Sequence, residues 1–546
     1  MDGKTALAIY NKMRNERGNM SALWQEAIRF CYPWERPSYD EGGRNDNMPG
    51  KRRTTPVCSY PALFAQRLAS ALHNAAFPSV DHWFTFGYSG VNLSENFTLN
   101  HWCMQARDKV HAKIRQGSNF YQESHAMMMS LAVLGTAGFH TYYKNGRIFF
   151  RHFPIHKNFY IARNSDGEVD MVAILHEWTA KEAVEEYGDN VSDEIKRELM
   201  AGSTGLNQTY NFIQLIYPKK TYGEKYNLLK GEKPYGDVTI EENTGKVVRV
   251  SGHIQFPFAV PRFFTASDDL YGRSPAMNGM SAIKSANMLR KTYLDAGMRA
   301  IKPALFINAL INKPISTEAG ALNYVPNFDP NSIWTYPSAT NFNVGKDLMA
   351  EILEELKQAF YIDVFQAIEQ GQYMTATEIT ERKKQKSESI GSVVSRLQYE
   401  FSQKVILQVL NLLIENGEIE PPPVEANGLA LEVTYESGID AMLRQGVAAK
   451  TMQFVAQSAQ VAQAYQMNTD LNAIVNMEEV LKTLANCAML PSNYFNSPEA
   501  QEKIRKRMEQ DAQAVRESQA RVQNSQADLN SAKAQAIATG RGYNGV

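Results

Sequence analysis

The spacing of apolar positions changes twice along the chain. It is helical in the first part, alternating between about Phe139 and Phe264, and helical again from about Met280 onward. From Lys4 to Tyr32, Leu7, Ile9, Met13, Leu23, Trp24, Ala27, Ile28 and Phe30 follow a helical repeat, and Gly18-Asn19 predicts a break into two short helices. The stretch from Pro33 to Pro56 has the Pro, Gly, Asn and Asp content of a loop. Further helices are predicted over Leu63–Phe77, Phe97–Arg115 and Tyr121–Leu134.

In the alternating region, Phe139–Tyr143 and Ile148–Phe153 flank Asn145-Gly146. That dipeptide suits a two-residue hairpin because both central residues must take positive φ. Asp166-Gly167 predicts a second hairpin, between Phe159–Arg163 and Val169–Trp178. Thr179 and Glu182 have capping-box spacing, so a short helix should run to Tyr187. Strands are expected at Phe212–Tyr217, Val238–Glu241, Val247–Ile254 and Phe258–Phe264, which makes this an antiparallel α+β region.

After Ser274-Pro275 a helix is predicted from Met280 to Lys302, stopped by Pro303. A Pro-rich, β-prone insert runs to Val344, and a second amphipathic helix from Lys346 to about Gln370. Gly371-Gln372-Tyr373 interrupts the pattern. Thr375 and Glu378 form another capping box, opening a helix that is expected to continue to about Asn416 with a kink at Gly391. From Ile439 the pattern is almost wholly helical and ends Ala- and Gln-rich. No repeat of 20 to 50 residues indicates a solenoid or propeller.

Composition narrows the function classes. At 546 residues the chain exceeds one compact core, and 57 Lys plus Arg against 58 Asp plus Glu leave a net charge of −1. Contact with DNA must therefore be local rather than driven by a global field. The longest apolar runs, such as Met127–Leu134, fall short of the roughly 20 residues that a spanning helix needs. Met1-Asp2-Gly3-Lys4 leads directly into an amphipathic pattern, so no signal peptide is expected. The four cysteines, Cys31, Cys58, Cys103 and Cys487, are neither a disulfide framework nor a zinc spacing.

Catalytic signatures are missing as well. Gly540-Arg541-Gly542-Tyr543-Asn544-Gly545 has no βαβ unit after it, and Gly43 to Gly50-Lys51 has the wrong spacing for a phosphate loop and reads as a basic loop. His101-Trp102-Cys103 and His111 lack a second ligand pair. Glu185-Glu186 and Glu354-Glu355 sit on charged helical faces, where solvation explains them. No enzyme, cofactor or metal is expected.

The informative constellation lies on the two helices around the Pro-rich insert. At about 100° per residue Lys284, Lys291, Asp295, Arg299 and Lys302 share one narrow sector of the first. Asp347, Glu351, Glu354, Glu355 and Glu369 gather on one side of the second, opposite an apolar side of Met349, Ile352, Leu353, Leu356, Ala359 and Phe360. Each stripe alone suits a solvated face. Together they suggest pairing between neighbouring subunits of a ring, or a basic lining that holds phosphates loosely in a channel.

The order of segments resembles the portal, or head-to-tail connector, family of short-tailed double-stranded DNA bacteriophages. The resemblance rests on Trp24 through Pro33-Trp34-Glu35-Arg36, Leu68-Ala69-Ser70-Ala71-Leu72 to His82-Trp83-Phe84, and Leu134-Gly135-Thr136-Ala137-Gly138. It also rests on Val260-Pro261-Arg262-Phe263, Tyr271-Gly272-Arg273-Ser274-Pro275-Ala276-Met277 and Met374-Thr375-Ala376-Thr377-Glu378-Ile379. Before the helix at Leu63, where the resemblance implies an acidic residue, this chain has Cys58-Ser59-Tyr60.

The resemblance implies an elongated α+β subunit of a twelve-membered ring. Its parts would be a wing at 1–275, a first stem helix at 276–302, a clip at 303–345 and a second stem helix at 346–370. A channel loop at 371–374, a long kinked helix at 375–435 and a helical crown with a polar tail at 436–546 would follow. DNA would be approached by Gln370, Gly371, Gln372 and Tyr373, and docking in the clip would use Ile333 and Trp334. Lys284, Lys291, Arg299, Lys302, Asp347, Glu351 and Glu354 would face the channel or a neighbouring subunit. Implied partners are major capsid and scaffolding proteins, the terminase packaging motor, tail adaptor proteins and, without sequence specificity, double-stranded DNA. No membrane is implied. The implied place is the head-tail junction of the virion, and the host cytoplasm during assembly. The alternatives are a DNA-processing accessory factor, which would need converging acidic metal ligands, and a different ring protein of the tail.

Overall fold

The computed structural model describes residues 1–35, 56–78, 82–91, 96–200, 208–224, 232–266, 269–302, 305–307, 333–335, 342–363, 391–435 and 498–538, with isolated positions at 316, 322, 324, 452 and 480. The chain divides into two compact units. The first comprises Met1–Thr85, Ala106–Pro421 and Val433–Asp440, and the second Phe86–Gln105, Pro422–Glu432 and Ala441–Val546.

The elements begin with helices α1 (Gly3–Cys31) and α2 (Tyr60–Ala76), strand β1 (Phe84–Tyr88), and helices α3 (Phe97–Gln116) and α4 (Phe120–Leu134). A β-rich stretch follows: β2 (Ala137–Lys144), β3 (Arg147–Pro154), β4 (Phe159–Arg163) and β5 (Val169–Thr179), then α5 (Ala180–Tyr187) and α6 (Asp193–Met200). It continues through β6 (Thr209–Pro218), β7 (Tyr235–Glu241), β8 (Val247–His253) and β9 (Phe258–Ala259). After α7 (Pro275–Asn278) come α8 (Met280–Ile301), β10 (Leu305–Ile307), β11 (Ile333–Thr335) and α9 (Phe342–Ala359). The described elements end with α10 (Gln403–Glu415), β12 (Leu431–Tyr435) and α11 (Pro498–Ala538).

Local chemistry accounts for several of these. Asn145 and Gly146 take φ of 52° and 78°, and the hairpin they close pairs Lys144 with Arg147 and runs to Ala137 opposite Pro154. Thr179 accepts from the Glu182 amide while the Glu182 carboxylate accepts from the Thr179 amide, so two donors at the start of α5 are satisfied reciprocally. Strands β4 to β8 form a five-stranded antiparallel meander in chain order, and β9 joins the hairpin in a sheet of order β3-β2-β9.

Alternation puts apolar side chains on both faces of the meander. On one face Ala173, Leu175, Ile213, Leu215, Val238 and Ile240 pack with Ala6, Tyr10 and Met13 of α1. On the other, Tyr210, Phe212 and Val248 pack with Ala180, Ala183, Tyr187 and Ile195 of α5 and α6. A third core is aromatic: Phe77, Trp83, Phe120, Phe139, Phe150 and Phe401 are buried and touch ring to ring. Burying each such ring stabilises by about 1.5–3 kcal/mol, and this core ties α2, α4, the hairpin and the late helical segment into one unit.

The structure departs from the sequence expectations at one strand and two helices: the strand expected at Phe258–Phe264 stops at Ala259, before Pro261, which has no N–H to continue a ladder. Gly18-Asn19 does not divide the N-terminal segment, and α1 is continuous over 29 residues. A helical Gly costs only about 1 kcal/mol. Burial of Ala6, Tyr10 and Met13 before it and of Trp24, Ala27, Ile28 and Cys31 after it outweighs that cost. The helix expected from Lys346 to Gln370 begins at Phe342 and ends at Ala359. There Tyr361 takes φ of 55°, and the turn buries Phe360 and Ile362; residues 362–363 are again helical, and 364–370 lie outside the described residues.

Residues 364–390, including the Thr375 capping box, lie outside the described residues. The described helix from 391 widens into a π turn at Gln398–Ser402 before α10. In the second unit, Asn96 accepts from the Leu99 amide at the start of α3, Tyr88 lies against Trp102, and the Ser89 amide donates to the Ala430 carbonyl. The long α11 completes that unit's described part.

Candidate functional site

Helices α8 and α9 pack against each other. A Cβ built on Gly345 would lie 3.1 Å from the Tyr293 ring, and one on Gly279 would lie 3.2 Å from Ala359 Cβ. These two approaches fix an antiparallel register in which Lys291 is level with Asp347 and Lys284 with Glu354. Level does not mean paired. At 100° per residue, the covered face of α8 centres on Ala282, Ala286 and Tyr293, and Lys284, Lys291 and Lys302 lie about half a turn away. On α9 the covered face centres on Gly345, Ile352 and Leu356, with Asp347, Glu351 and Glu354 opposite.

The basic and acidic stripes therefore occupy the two outer sides of the helix pair. Lys284, Lys291, Arg299, Lys302, Asp347, Glu351 and Glu354 are all exposed. Lys284 Nζ instead meets Glu26 Oε1 of α1 at 2.5 Å, and Glu354 meets Lys357 on its own helix at 2.9 Å. The outward side of α8 is also partly apolar, with Met288, Met298 and Ile301 at 73, 64 and 78 % exposure.

Between the helices the Pro-rich insert contributes a short antiparallel ladder, in which Ile333 faces Ile307 and Trp334 faces Phe306 across β10 and β11. Gln370, Gly371, Gln372 and Tyr373 lie outside the described residues.

The base of α8 is fixed by residues that sequence reasoning named only as resemblance. Gly135 ends α4 with φ of 78°, and a Cβ there would run into the backbone of Gly272, Arg273 and Ser274. Around it the Phe263 amide donates to the Gly135 carbonyl, the Gly272 amide to Thr136 Oγ1 at 2.7 Å, and Ser274 Oγ to the Val133 carbonyl at 2.7 Å. Ser274 also caps α7 by accepting from the Met277 amide. Trp24 Nε1 donates to the Leu134 carbonyl, and its ring meets Tyr271 edge-on.

Arg262 closes the knot. Its side chain donates to Glu400 from Nε at 3.1 Å and from Nη2 at 2.6 Å, and its own amide donates to the second carboxylate oxygen at 2.8 Å. Both side chains are about nine-tenths buried. Glu400 sits in the π turn at Gln398–Ser402. The Glu26–Lys284 and Arg262–Glu400 pairs had no local signal, because their partners lie well over a hundred residues apart.

The histidines and cysteines named earlier are placed differently. His111 is buried, stacks on Phe84 at 4.3 Å, and accepts from the Trp83 amide through Nε2. Burial, followed by nearby His82 and Arg charges, lowers its pKa to about 3. Cys103 is buried too, and burial pushes its thiol up to about 12. Among the described residues no three His, Cys, Asp or Glu side chains converge in a way that could hold a metal, and no helix is long and apolar enough to cross a membrane. Glu185 and Glu186 are exposed, and Glu186 meets Arg249 at 3.1 Å.

Comparison with known proteins gives consistent relatives. The chain is 25% identical over 452 residues to a probable portal protein of Bordetella phage BPP-1, covering 80% of this chain and 78% of that one. It is 23% identical over 466 residues to the portal protein of Salmonella phage epsilon15, covering 82% of each. A solved structure titled "Neck of native GTA particle computed with C12 symmetry" aligns with 72% of this chain and 86% of its own at 9% identity and a TM-score of 0.35, too distant a likeness to carry an argument. The bacteriophage head to tail connecting protein family matches residues 3–495. With that match spanning the knot, the helix pair and most of the chain, the protein belongs to the bacteriophage head to tail connecting protein family.

Proposed function

We propose that this chain is the repeating subunit of a portal ring at the head-tail junction of a phage virion, acting as a structural channel rather than as an enzyme. Family membership and two relatives named as portal proteins support the role. The observation that carries the assembly reading is the helix pair, with a basic outer side on α8 and an acidic outer side on α9. Opposite charges on opposite outer sides cannot meet within one subunit but suit a heterologous contact, which closes into a ring when the rotation permits. In this reading Lys291 of one copy faces Asp347 of the next, in a ring of twelve.

The finer assignments follow the order of segments. The α+β region before 275 is the wing, α8 and α9 are the stem, and 303–345 with Ile333 and Trp334 is the clip that docks the terminase motor. Gln370 to Tyr373 form the loop nearest DNA, the helix after 375 returns through the wing, and 436–546 form the crown. Capsid, scaffolding and tail adaptor proteins bind the ring's other surfaces. The duplex passes without base reading, and the ring assembles in the host cytoplasm.

The test is Lys291→Glu in the full-length chain, followed by mass photometry and negative-stain imaging. Rings should weaken with Lys291→Glu and recover in part with Asp347→Lys added, because exposed pairs contribute up to about 1 kcal/mol each and are multiplied around the ring. Intact Lys291→Glu rings with altered DNA retention would move the basic stripe to the channel. A wild-type monomer carrying nuclease or ATPase activity would overturn the portal reading.

A further inference from the structure

Within the first compact unit, the end of α3, the tip of the β2–β3 hairpin and the turn after α10 enclose a cavity of about 490 Å³. That lies in the range of roughly 300–1,000 Å³ that specific ligands occupy. The floor is apolar, with Leu413 and Ile419 buried beside Ala112. The rim is basic. Lys109 and Lys113 stand one turn apart on α3, and Arg147 opens β3 directly after the Asn145-Gly146 turn.

The one acid in the lining, Glu418, is already engaged. Lys113 Nζ meets its Oε2 at 2.5 Å and the Tyr143 hydroxyl donates to its Oε1 at 3.0 Å. The Lys113 bond holds this carboxyl below the usual carboxylate range. Lys109 and Arg147 are left without a counter-charge. Lys109 Nζ donates to the Glu418 carbonyl at 3.0 Å, which fixes the ammonium at the rim with two hydrogens to spare, and no carboxylate among the described residues meets Arg147. The carbonyls at the two helix ends are also occupied, that of Lys113 by the Gly117 amide and that of Leu413 by the Glu418 and Ile419 amides. What remains open to an occupant is a pair of cationic donors above an apolar floor.

We propose that this cavity docks an acidic segment of another protein, in which carboxylates flank one aliphatic side chain. Arg147 takes one carboxylate through two parallel N–H groups, Lys109 pairs with a second, and the aliphatic group covers Leu413 and Ile419. Charge and shape together select this occupant. The chain as a whole carries a net charge of −1, so the cationic rim is a local feature and not part of a general basic surface. A DNA duplex would meet the rim with its phosphates but carries no apolar group into a recess, and would leave the floor uncovered. A peptide satisfies both at once. The tight turn before Arg147 fixes its backbone, so little ordering is left for binding to supply. The site is independent of the contact between α8 and α9 of neighbouring copies.

The experiment follows the fluorescence anisotropy of a labelled Glu-Glu-Leu-Glu-Glu peptide titrated with the full-length protein as it assembles. Binding should saturate, should be absent for Lys-Lys-Leu-Lys-Lys, and should weaken about tenfold when Ser replaces the Leu of the probe. Arg147→Glu and Lys109→Glu should each weaken it about tenfold or more, while Lys181→Glu, an equally exposed change on α5 away from the cavity, should leave it unaltered. Lys109→Glu tests the rim without touching the hairpin, so a disturbed turn in Arg147→Glu does not decide the result. Binding that fails to saturate, survives both rim variants or falls equally in Lys181→Glu overturns the proposal. An assembled protein that does not bind the probe overturns it as well, since a neighbouring copy would then cover the cavity. So does a short DNA duplex that displaces the peptide and is itself lost in both rim variants, because the site would then hold phosphate.

Discussion

Removing the Glu400 carboxylate should loosen the junction between the segment around Arg262, which bridges to Thr136, and the helical segment that carries the π turn. In Glu400→Ala, the Arg262 side chain loses its hydrogen bonds to Oε1 at 3.1 and 2.6 Å, and its amide loses the Oε2 acceptor at 2.8 Å. Arg262 is about 12 % exposed, so its charge is left largely out of water. Breaking a buried pair from one side costs about 3–5 kcal/mol, of which the orphaned amide accounts for about 1–3. Replacing both, as Arg262→Met with Glu400→Leu, should cost well under the sum of the two single changes, because no charge remains stranded.

The assay is amide hydrogen exchange over 391–415 in the assembled protein. It reads local opening and does not require the whole chain to unfold in one step. A loss of 3 kcal/mol corresponds to protection reduced by about two hundredfold. Glu400→Gln keeps one acceptor oxygen, turns the other into an NH2 donor and removes the charge, and should fall between. Unchanged protection in Glu400→Ala, or a double variant as labile as the worse single one, would refute the reasoning.

Two further outcomes follow from the same core. Gly135→Ala forces a Cβ into the left-handed region and against the backbone of Gly272 to Ser274, and should destabilise by about 2–4 kcal/mol; a thermal midpoint equal to wild type would contradict this. His111 titrates near 3 when folded, against about 6.5 when unfolded, so between these values the unfolded chain binds the extra proton. Its contribution is therefore complete above about pH 6.5 and is lost as pH falls toward 3. His111→Gln should flatten the decline in denaturant midpoint between pH 7 and pH 4, and an unaltered slope would count against it.

Much of the architecture was legible in order along the chain. Asn145-Gly146, the Thr179 capping box, the alternation from Phe139 to Phe264 and the stop at Pro303 act within a few residues, so the sequence alone determined those turns, caps and periods. The charged stripes were legible too, since a helix converts spacing into a face. Continuity of α1 through Gly18 and the end of α9 at Ala359 were not, because burial of Trp24 in one case and of Phe360 in the other overrode local preference. Nor could spacing reveal that Arg262 and Glu400, 138 residues apart, share one buried clamp, or that Lys284 reaches Glu26. Which outer side of α8 and α9 carries each stripe depends on which side is packed inward, and only the tertiary structure decided that. Local geometry can be read from neighbours in sequence, whereas desolvated pairs and packed faces depend on residues the chain brings together only when folded.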